Sequence, residues 1–180
     1  MHSWRAGLLA LAVSLAAHGM QVDVQGDSIF ASDRVEDDYL KFQEAMLRPG
    51  IKRVVLVNSL GGELWTGLKI GQLIRERGLD TVVAGHCVSA CSIMFMGGKE
   101  RIFSDAFRPA LTYIGIHGAS NKYTNAVVNT VQPMLFAFYK QAMADRFNAT
   151  VMNMAFYDMD DAGALLVIPE STQEPRRAPY

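Results

Sequence analysis

Charge of either sign is scarce in this sequence. Its 180 residues include 17 Lys or Arg and 18 Asp or Glu, which leaves a net charge of −1. Because binding to the phosphate backbone needs a basic surface and the sequence has no basic cluster, we exclude nucleic acid as a partner. Half of the residues are hydrophobic, which is enough to bury the core of one domain of this length.

An apolar run long enough to span a bilayer as a helix, about 20 residues, is missing from the N-terminal region. Arg5 is followed by about a dozen mostly apolar residues, Ala6 to Ala17. This pattern predicts a secretory signal peptide over residues 1–19, cleaved after Ala16 or Gly19, and therefore a periplasmic or secreted protein. An uncleaved N-terminal anchor with membrane association is the alternative. The remaining chain divides into a domain over 20–170 and a disordered tail over 171–180.

Only two cysteines are present, Cys87 and Cys91, and they flank Ser89. In an exported protein an even number of cysteines favours a disulfide, which here would stiffen the turn around the serine. Two buried thiols are the alternative, because free cysteine is common in cores. The sequence contains no C-x-x-C pair and places only His86 nearby, so we expect no metal and no cofactor.

Hydrophobic periodicity predicts an alternation of strands and helices. A hairpin over 22–31 turns at Gly26, and a helix capped by Ser32 or Asp33 follows and ends before Pro49. Two strand-and-helix units follow, with strands at 53–58 and 81–83 and helices at 64–77 and after Ser89. Later come a strand over 111–116, a long helical region over 123–147 that Pro133 kinks or divides, and a strand over 164–168. The pattern is typical of a single layered α/β domain.

Three features lie at the ends of successive predicted strands: the pair Gly61 and Gly62, then Ser89, then His117. Carboxyl ends of parallel strands gather at one edge of a sheet, so these residues are expected to meet. A serine hydroxyl needs an adjacent base such as imidazole, and the amides of Gly62 and Ala90 would supply an oxyanion hole. Alternatively, Ser89 only caps a helix, the glycines form an ordinary turn and His117 is a polar strand end.

Three segments carry a resemblance to a known family. The sequences V-N-S-L-G-G-E-L-W-T-G, C-V-S-A-C-S-I-M-F-M-G-G-K-E-R and I-G-I-H-G resemble the glycine turn, nucleophile helix and histidine segment of the Clp protease proteolytic subunit. The C-x-S-A-C motif with G-K-E-R and I-G-x-H is similar to an exported, uncharacterised branch of that family. The resemblance implies a ClpP/crotonase-like fold of stacked ββα units, with Ser89 as nucleophile, His117 as base and the amides of Gly62 and Ala90 as the oxyanion hole.

The third member of a catalytic triad is less well marked. In the family an aspartate precedes a segment resembling L-S-A-P-E-A, and the counterpart here is L-V-I-P-E, which makes Asp161 the candidate. Asp158 and Asp160 are rivals, and a solvated acidic loop without a catalytic part is the alternative. Without an orienting carboxylate, a serine and histidine pair is expected to be much slower.

These features predict an exported serine hydrolase, in particular a peptidase that acts on peptide or protein substrates. The first alternative is a catalytically inactive ClpP-like binding or scaffold protein. An acyl-CoA enzyme of crotonase type ranks last, since no acidic pair suited to hydration lies near the turns. The sequence leaves a homo-oligomer open, and the apolar stretch 134–138 is either a contact surface for it or part of the core.

Overall fold

A computed structural model describes residues 19–121, 123–124, 126–158 and 165–167. The strands are β1 (Gln21–Gln25), β2 (Ser28–Ser32), β3 (Arg53–Ser59), β4 (Asp80–Val88), β5 (Arg101–Phe103), β6 (Tyr113–Ile116) and β7 (Leu165–Val167). The α-helices are α1 (Tyr39–Met46), α2 (Leu64–Glu76), α3 (Ala90–Met96), α4 (Gln132–Met143) and α5 (Ala149–Asn153). The predicted signal peptide falls almost wholly on residues 1–18, and the predicted tail falls on 171–180. Apart from Gly19, both lie outside the described residues.

The described strands form one mixed sheet in the order β1-β2-β3-β4-β6-β7, with β5 paired to β4. Strands β2, β3, β4 and β6 run parallel, whereas β1 and β7 are antiparallel to their neighbours. Both β5 and β6 lie along β4, the first beside Thr81–Val83 and the second beside His86–Val88. The carboxyl ends of β3, β4 and β6 therefore point to the same edge.

The fold class predicted from the sequence, a single α/β domain, is confirmed, and so are most of its elements. The hairpin turns at Gly26, the strand after Lys52 is β3, and the helix after the glycine pair is α2. The strands predicted near 111–116 and 164–168 are β6 and β7.

Three predicted boundaries are wrong. Strand β4 does not end at Gly85, because this glycine adopts a φ of 77° and the strand continues beyond it to Val88. Helix α1 begins at Tyr39, after Asp38 and not after a cap at Ser32 or Asp33, since Val35 instead forms a β-bridge with Gly62. Residues 123–124 and 126–131 of the predicted helical region are not helical; α4 begins at Gln132 and has Pro133 in its first turn, where a missing N–H costs little.

The apolar stretch at the start of α4 belongs mainly to the core. Leu135 is buried, Phe136 and Phe138 pack against the main hydrophobic cluster, and Met134 is exposed at the surface. This burial favours core packing over a contact surface. Among the described residues, no helix is long and apolar enough to cross a membrane.

Helices α2 and α3 contact each other through glycines. A Cβ added at Gly67 would lie 2.9 Å from the Cβ of Ala90, and one at Gly71 would lie 2.9 Å from the carbonyl oxygen of Ile93. Near the other end of α3, Gly97 packs directly on the backbone of Gly71. Because these positions lack side chains, the two helix backbones approach closely, which fixes α3 and the turn that precedes it.

Replacing Gly97 by alanine tests this contact. The φ of Gly97 is −67°, so alanine is conformationally acceptable, but its Cβ would lie 2.8 Å from the carbonyl carbon of Gly71. We expect Gly97→Ala to lower the free energy of unfolding by about 1–3 kcal/mol in urea denaturation. The control is Gly78→Ala, whose added Cβ would meet no neighbour within 4 Å. Alanine in the left-handed conformation of Gly78 is expected to lower the free energy of unfolding by about 1 kcal/mol. A Gly97→Ala variant as stable as wild type would contradict the close helix contact.

Candidate active site

The strand ends after β3, β4 and β6 open onto one cavity of about 700 Å³. Ser89, His117 and Gly62 all line it, as the parallel topology predicted. Ile93, Leu135 and Tyr139 contribute apolar lining, and the charged side chains are Arg34, Glu36 and Glu63. Three of the four residues that the sequence placed at strand ends therefore line one cavity, and the fourth, Gly61, does not.

Ser89 occupies a strained turn between β4 and α3. Its φ is 57° and its ψ is −126°, a conformation that residues other than glycine rarely adopt and that costs about 1–3 kcal/mol. Although Ser89 stands at the N-cap position, its side chain makes no capping hydrogen bond. The interpretation of Ser89 as a mere helix cap is therefore wrong. A sharp, strained strand-to-helix turn with a free hydroxyl is typical of a nucleophile elbow.

Hydrogen bonds hold this strained backbone on both sides. The Ser89 amide donates to the carbonyl of Gly115 in β6, at 2.8 Å. The Ser89 carbonyl accepts from the amide of Ser92, at 2.9 Å, and from the Ser92 hydroxyl, at 2.7 Å. The buried hydroxyl of Tyr139 in α4 lies 2.7 Å from Ser92 Oγ and, since the Ser92 hydrogen is already engaged, donates to it. Burial raises the pKa of Tyr139, so this hydroxyl keeps its proton.

The glycine turn, formed by Gly61 and Gly62, lies directly against the serine turn, which is the turn at Ser89. Gly61 has a φ of 82°, and a Cβ there would lie 2.7 Å from Ser89 Cβ and 2.8 Å from the amide nitrogen of Ala90. Val35 forms two backbone hydrogen bonds to the glycine turn. Its amide donates to the Gly61 carbonyl, and its carbonyl accepts from the Glu63 amide.

The two amides predicted as oxyanion donors differ in exposure. Within the described part of the chain, neither the Gly62 amide nor the Ala90 amide has a hydrogen-bond acceptor. Gly62 lines the cavity, whereas Ala90 is buried at 1% exposure just behind the Ser89 turn. Both amides are therefore free to donate a hydrogen bond. Of the two residues, only Gly62 borders the cavity.

His117 follows β6 and is half-buried in the cavity wall. Its Nδ1 lies 2.6 Å from the carbonyl oxygen of Gly118. A carbonyl can only accept, so Nδ1 is the donor in this contact. The predicted third triad member, Asp161, lies outside the described residues, as does its rival Asp160.

A disulfide joins Cys87 and Cys91 across the serine turn, with their Cα atoms 5.2 Å apart. It links the end of β4 to the first turn of α3, and both cysteines are fully buried. The prediction of a disulfide is confirmed, and the alternative of two free thiols is wrong. In the described ranges, no group of three His, Cys, Asp or Glu side chains is arranged to hold a metal ion.

Some residues that shape the site were not found by sequence reasoning. Val35 binds the glycine turn, Ser92 and Tyr139 support the nucleophile turn, and Gln132 binds the segment after His117. Ser92 and Tyr139 sit in apolar helical patterns that resemble ordinary core. Gln132 carries no motif, and its role depends on where α4 begins.

Comparison with known proteins identifies the fold. No protein family model matches the chain, and no curated protein matches it. Among solved structures, a mutant of 1510-N, a membrane-bound stomatin-specific protease, is similar with a TM-score of 0.56 and 16% identity over 79% of this chain and 72% of that chain. The chain has a ClpP-like fold. A mutant ClpP1 from Listeria monocytogenes is also similar, with a TM-score of 0.49 and 14% identity over 66% of this chain and 72% of that chain.

Replacing Ser89 by glycine tests the strained turn. Glycine adopts positive φ without a steric penalty, so we expect Ser89→Gly to raise the free energy of unfolding by about 1 kcal/mol. The matched control is Ser32→Gly in β2, where the backbone is regular and glycine is expected to lower stability by about 0.5–1 kcal/mol. Urea denaturation measures both values. A loss of stability in Ser89→Gly would mean that the hydroxyl has a structural role.

Removing the disulfide tests its contribution to the fold. The chain-entropy relation gives about 2 kcal/mol for so short a loop, so Cys87→Ala/Cys91→Ala is expected to unfold at a lower urea concentration by that free energy. Wild type denatured in the presence of dithiothreitol is the control and should approach the variant. Identical denaturation curves for the oxidised wild type and the variant would show that the bridge contributes nothing.

Proposed function

We propose that this protein is an exported serine hydrolase, a peptidase with Ser89 as nucleophile and His117 as general base. The observation that carries the proposal is the conformation of Ser89: a strained backbone, a hydroxyl without a capping bond, and a place in the same cavity as an imidazole. Strain of this kind persists only where the surrounding structure maintains it, and it is concentrated at active sites.

The proposed reaction is acyl transfer to Ser89 followed by hydrolysis. His117 Nε2 takes the hydroxyl proton as Ser89 Oγ bonds to the substrate carbonyl carbon, and the imidazolium then gives that proton to the leaving amine. Water releases the acyl group by the same steps in reverse. The amides of Gly62 and Ala90 would stabilise the oxyanion, and losing one such donor typically costs about 10²–10³ in rate.

Peptides or proteins are the proposed substrates. A cavity of about 700 Å³ has the size of a typical ligand site, and its apolar lining by Ile93, Leu135 and Tyr139 suits an apolar substrate side chain beside Ser89. The similar structure with a TM-score of 0.56 is described as a stomatin-specific protease, which favours a peptide bond over an acyl-CoA thioester. Arg34 and Glu36, which form an exposed ion pair at 2.7 Å, would meet the polar parts of the substrate.

Export is proposed on two independent grounds. The first is the apolar run Ala6 to Ala17 after Arg5, which has the length of a signal peptide. The second is the buried disulfide between Cys87 and Cys91, since disulfides persist mainly in oxidising compartments such as the periplasm. Outside the cytoplasm no ATP-driven unfoldase would feed the cavity, so substrates would have to be short or already unfolded. Membrane association through an uncleaved N-terminus, and assembly of identical chains, remain part of this proposal.

A catalytically inactive binding protein with the same fold is the second candidate. It is favoured by the contact of His117 Nδ1 with a neutral main-chain carbonyl, since none of the carboxylates in the described part of the chain bonds to this ring. A neutral partner stabilises an imidazolium less than a charged one does. The two candidates differ in whether Ser89 reacts.

Labelling with a fluorophosphonate probe distinguishes them. We expect the folded wild type to be labelled at Ser89, Ser89→Ala to show no labelling, and His117→Ala to react about 10²–10⁴-fold more slowly because the general base is missing. Matched controls are Ser32→Ala and His86→Ala, which alter a partly buried serine and histidine outside the cavity. If folded wild type resists the probe, the proposal of a hydrolase is wrong and that of a binding protein is supported.

A further inference from the structure

The contact between His117 and Gly118 fixes the protonation of the ring. Nδ1 of His117 lies 2.6 Å from the Gly118 carbonyl oxygen, and this oxygen has no hydrogen to give. The neutral imidazole carries one N–H, so forming this bond places it on Nδ1 and leaves Nε2 with a free lone pair. This is the tautomer in which Nε2 can accept the proton of a serine hydroxyl. A carboxylate in a conventional triad selects the same tautomer.

The backbone on both sides of the Gly118 carbonyl is held by two neighbouring elements. The Gly118 amide donates to the carbonyl of Ala155 at 3.1 Å. Gln132, which is fully buried at the start of α4, forms two hydrogen bonds to Ala119, the residue after Gly118. Its Oε1 accepts from the Ala119 amide at 3.2 Å, and its Nε2 donates to the Ala119 carbonyl at 3.3 Å. The Ala119 N–H shares its planar peptide group with the Gly118 carbonyl, so the bond from this N–H to Gln132 fixes the plane of that carbonyl, while the second bond fixes the next peptide group.

Glycine is required at 118 because of the same neighbours. A Cβ at this position would lie 2.6 Å from Gln132 Nε2 and 2.6 Å from the carbonyl oxygen of Phe156. Any side chain would therefore displace either Gln132 or the turn after α5. The close fit keeps the segment in the position that directs the Gly118 carbonyl at the ring.

We propose that the main-chain carbonyl of Gly118 is the orienting partner of His117, and that Gln132 is the positioning residue that holds it. The proposal rests on the proposed function of Ser89 and His117 and deepens it: the third member of the triad is a backbone oxygen and no side-chain carboxylate is needed to select the tautomer. Gln132 touches no reacting atom and acts only through Ala119 and Gly118.

Nuclear magnetic resonance of the imidazole nitrogens tests the proposal directly. In the full chain labelled with ¹⁵N-histidine, two-bond nitrogen–proton correlations distinguish the two neutral tautomers, and the His117→Asn variant identifies the signal. At alkaline pH, where the spectrum itself shows the neutral ring, we expect the Nδ1–H tautomer of His117 in wild type. The same tautomer is expected in the triple variant Asp158→Asn/Asp160→Asn/Asp161→Asn. An Nε2–H tautomer in wild type, or loss of Nδ1–H in the triple variant, would overturn the proposal.

The role of Gln132 is tested in the same spectra. Gln132→Ala removes both bonds to Ala119, so we expect the single Nδ1–H signal of His117 to become a mixture of tautomers. The matched control is Gln141→Ala, an exposed glutamine on the same helix, which should leave the signal unchanged. A pure Nδ1–H signal in folded Gln132→Ala would exclude Gln132 as the positioning residue. Should that variant not fold, wild type and the triple aspartate variant still decide whether the carbonyl is the partner.

The spectra separate this inference from the proposed function. An Nδ1–H ring in a protein that resists the fluorophosphonate probe would support the orienting contact and overturn the hydrolase. A labelled protein whose ring is Nε2–H would support the hydrolase and overturn the orienting contact.

Discussion

The close contact between the glycine turn and the serine turn is the constraint on which the site depends. Gly61 packs on Ser89 and Ala90, and Gly67 and Gly71 let α2 lie against α3 at backbone distance. Because a side chain at any of these positions would meet main-chain atoms, the two turns cannot separate or slide without losing the packing of both helices. The position of the Ser89 hydroxyl is therefore set by the same contacts that hold the core together.

This constraint explains how a strained residue is maintained. The Ser89 amide donates to the Gly115 carbonyl, and the Ser89 carbonyl accepts from Ser92. The disulfide between Cys87 and Cys91 closes the turn. Each net hydrogen bond contributes about 0.5–1.5 kcal/mol, so the bonds to Ser89 together match the cost of its positive φ. The hydroxyl takes no part in this stabilisation. The Ser89 hydroxyl remains available for chemistry in a turn that other groups stabilise.

Sequence reasoning succeeded where a single local signal determines the structure. The buried strand β3, the amphipathic helix α2 and the turn at Gly26 each follow from periodicity or a glycine, and the parallel order of strands then brought Ser89 and His117 to one cavity. It failed where contacts distant in sequence override local preference. Gly85 does not stop β4, because β6 pairs with the residues beyond it, and Val35 leaves the helical pattern to bind the glycine turn.

The support of His117 shows why such contacts escape prediction. Gln132 is one polar residue before Pro133, and nothing in its neighbourhood distinguishes it from an exposed helix end. Its burial follows from the packing of α4 on α3, and its two bonds to Ala119 follow from where β6 ends. A buried amide must satisfy both its donor and its acceptor, since an unpaired polar group costs about 1–3 kcal/mol. The N–H and the carbonyl of Ala119 supply both partners of the Gln132 amide, so the contact needs no particular side chain at position 119. The segment that presents the Gly118 carbonyl to the imidazole is thus fixed by bonds between one side-chain amide and the main chain, a contact that leaves no motif in the sequence.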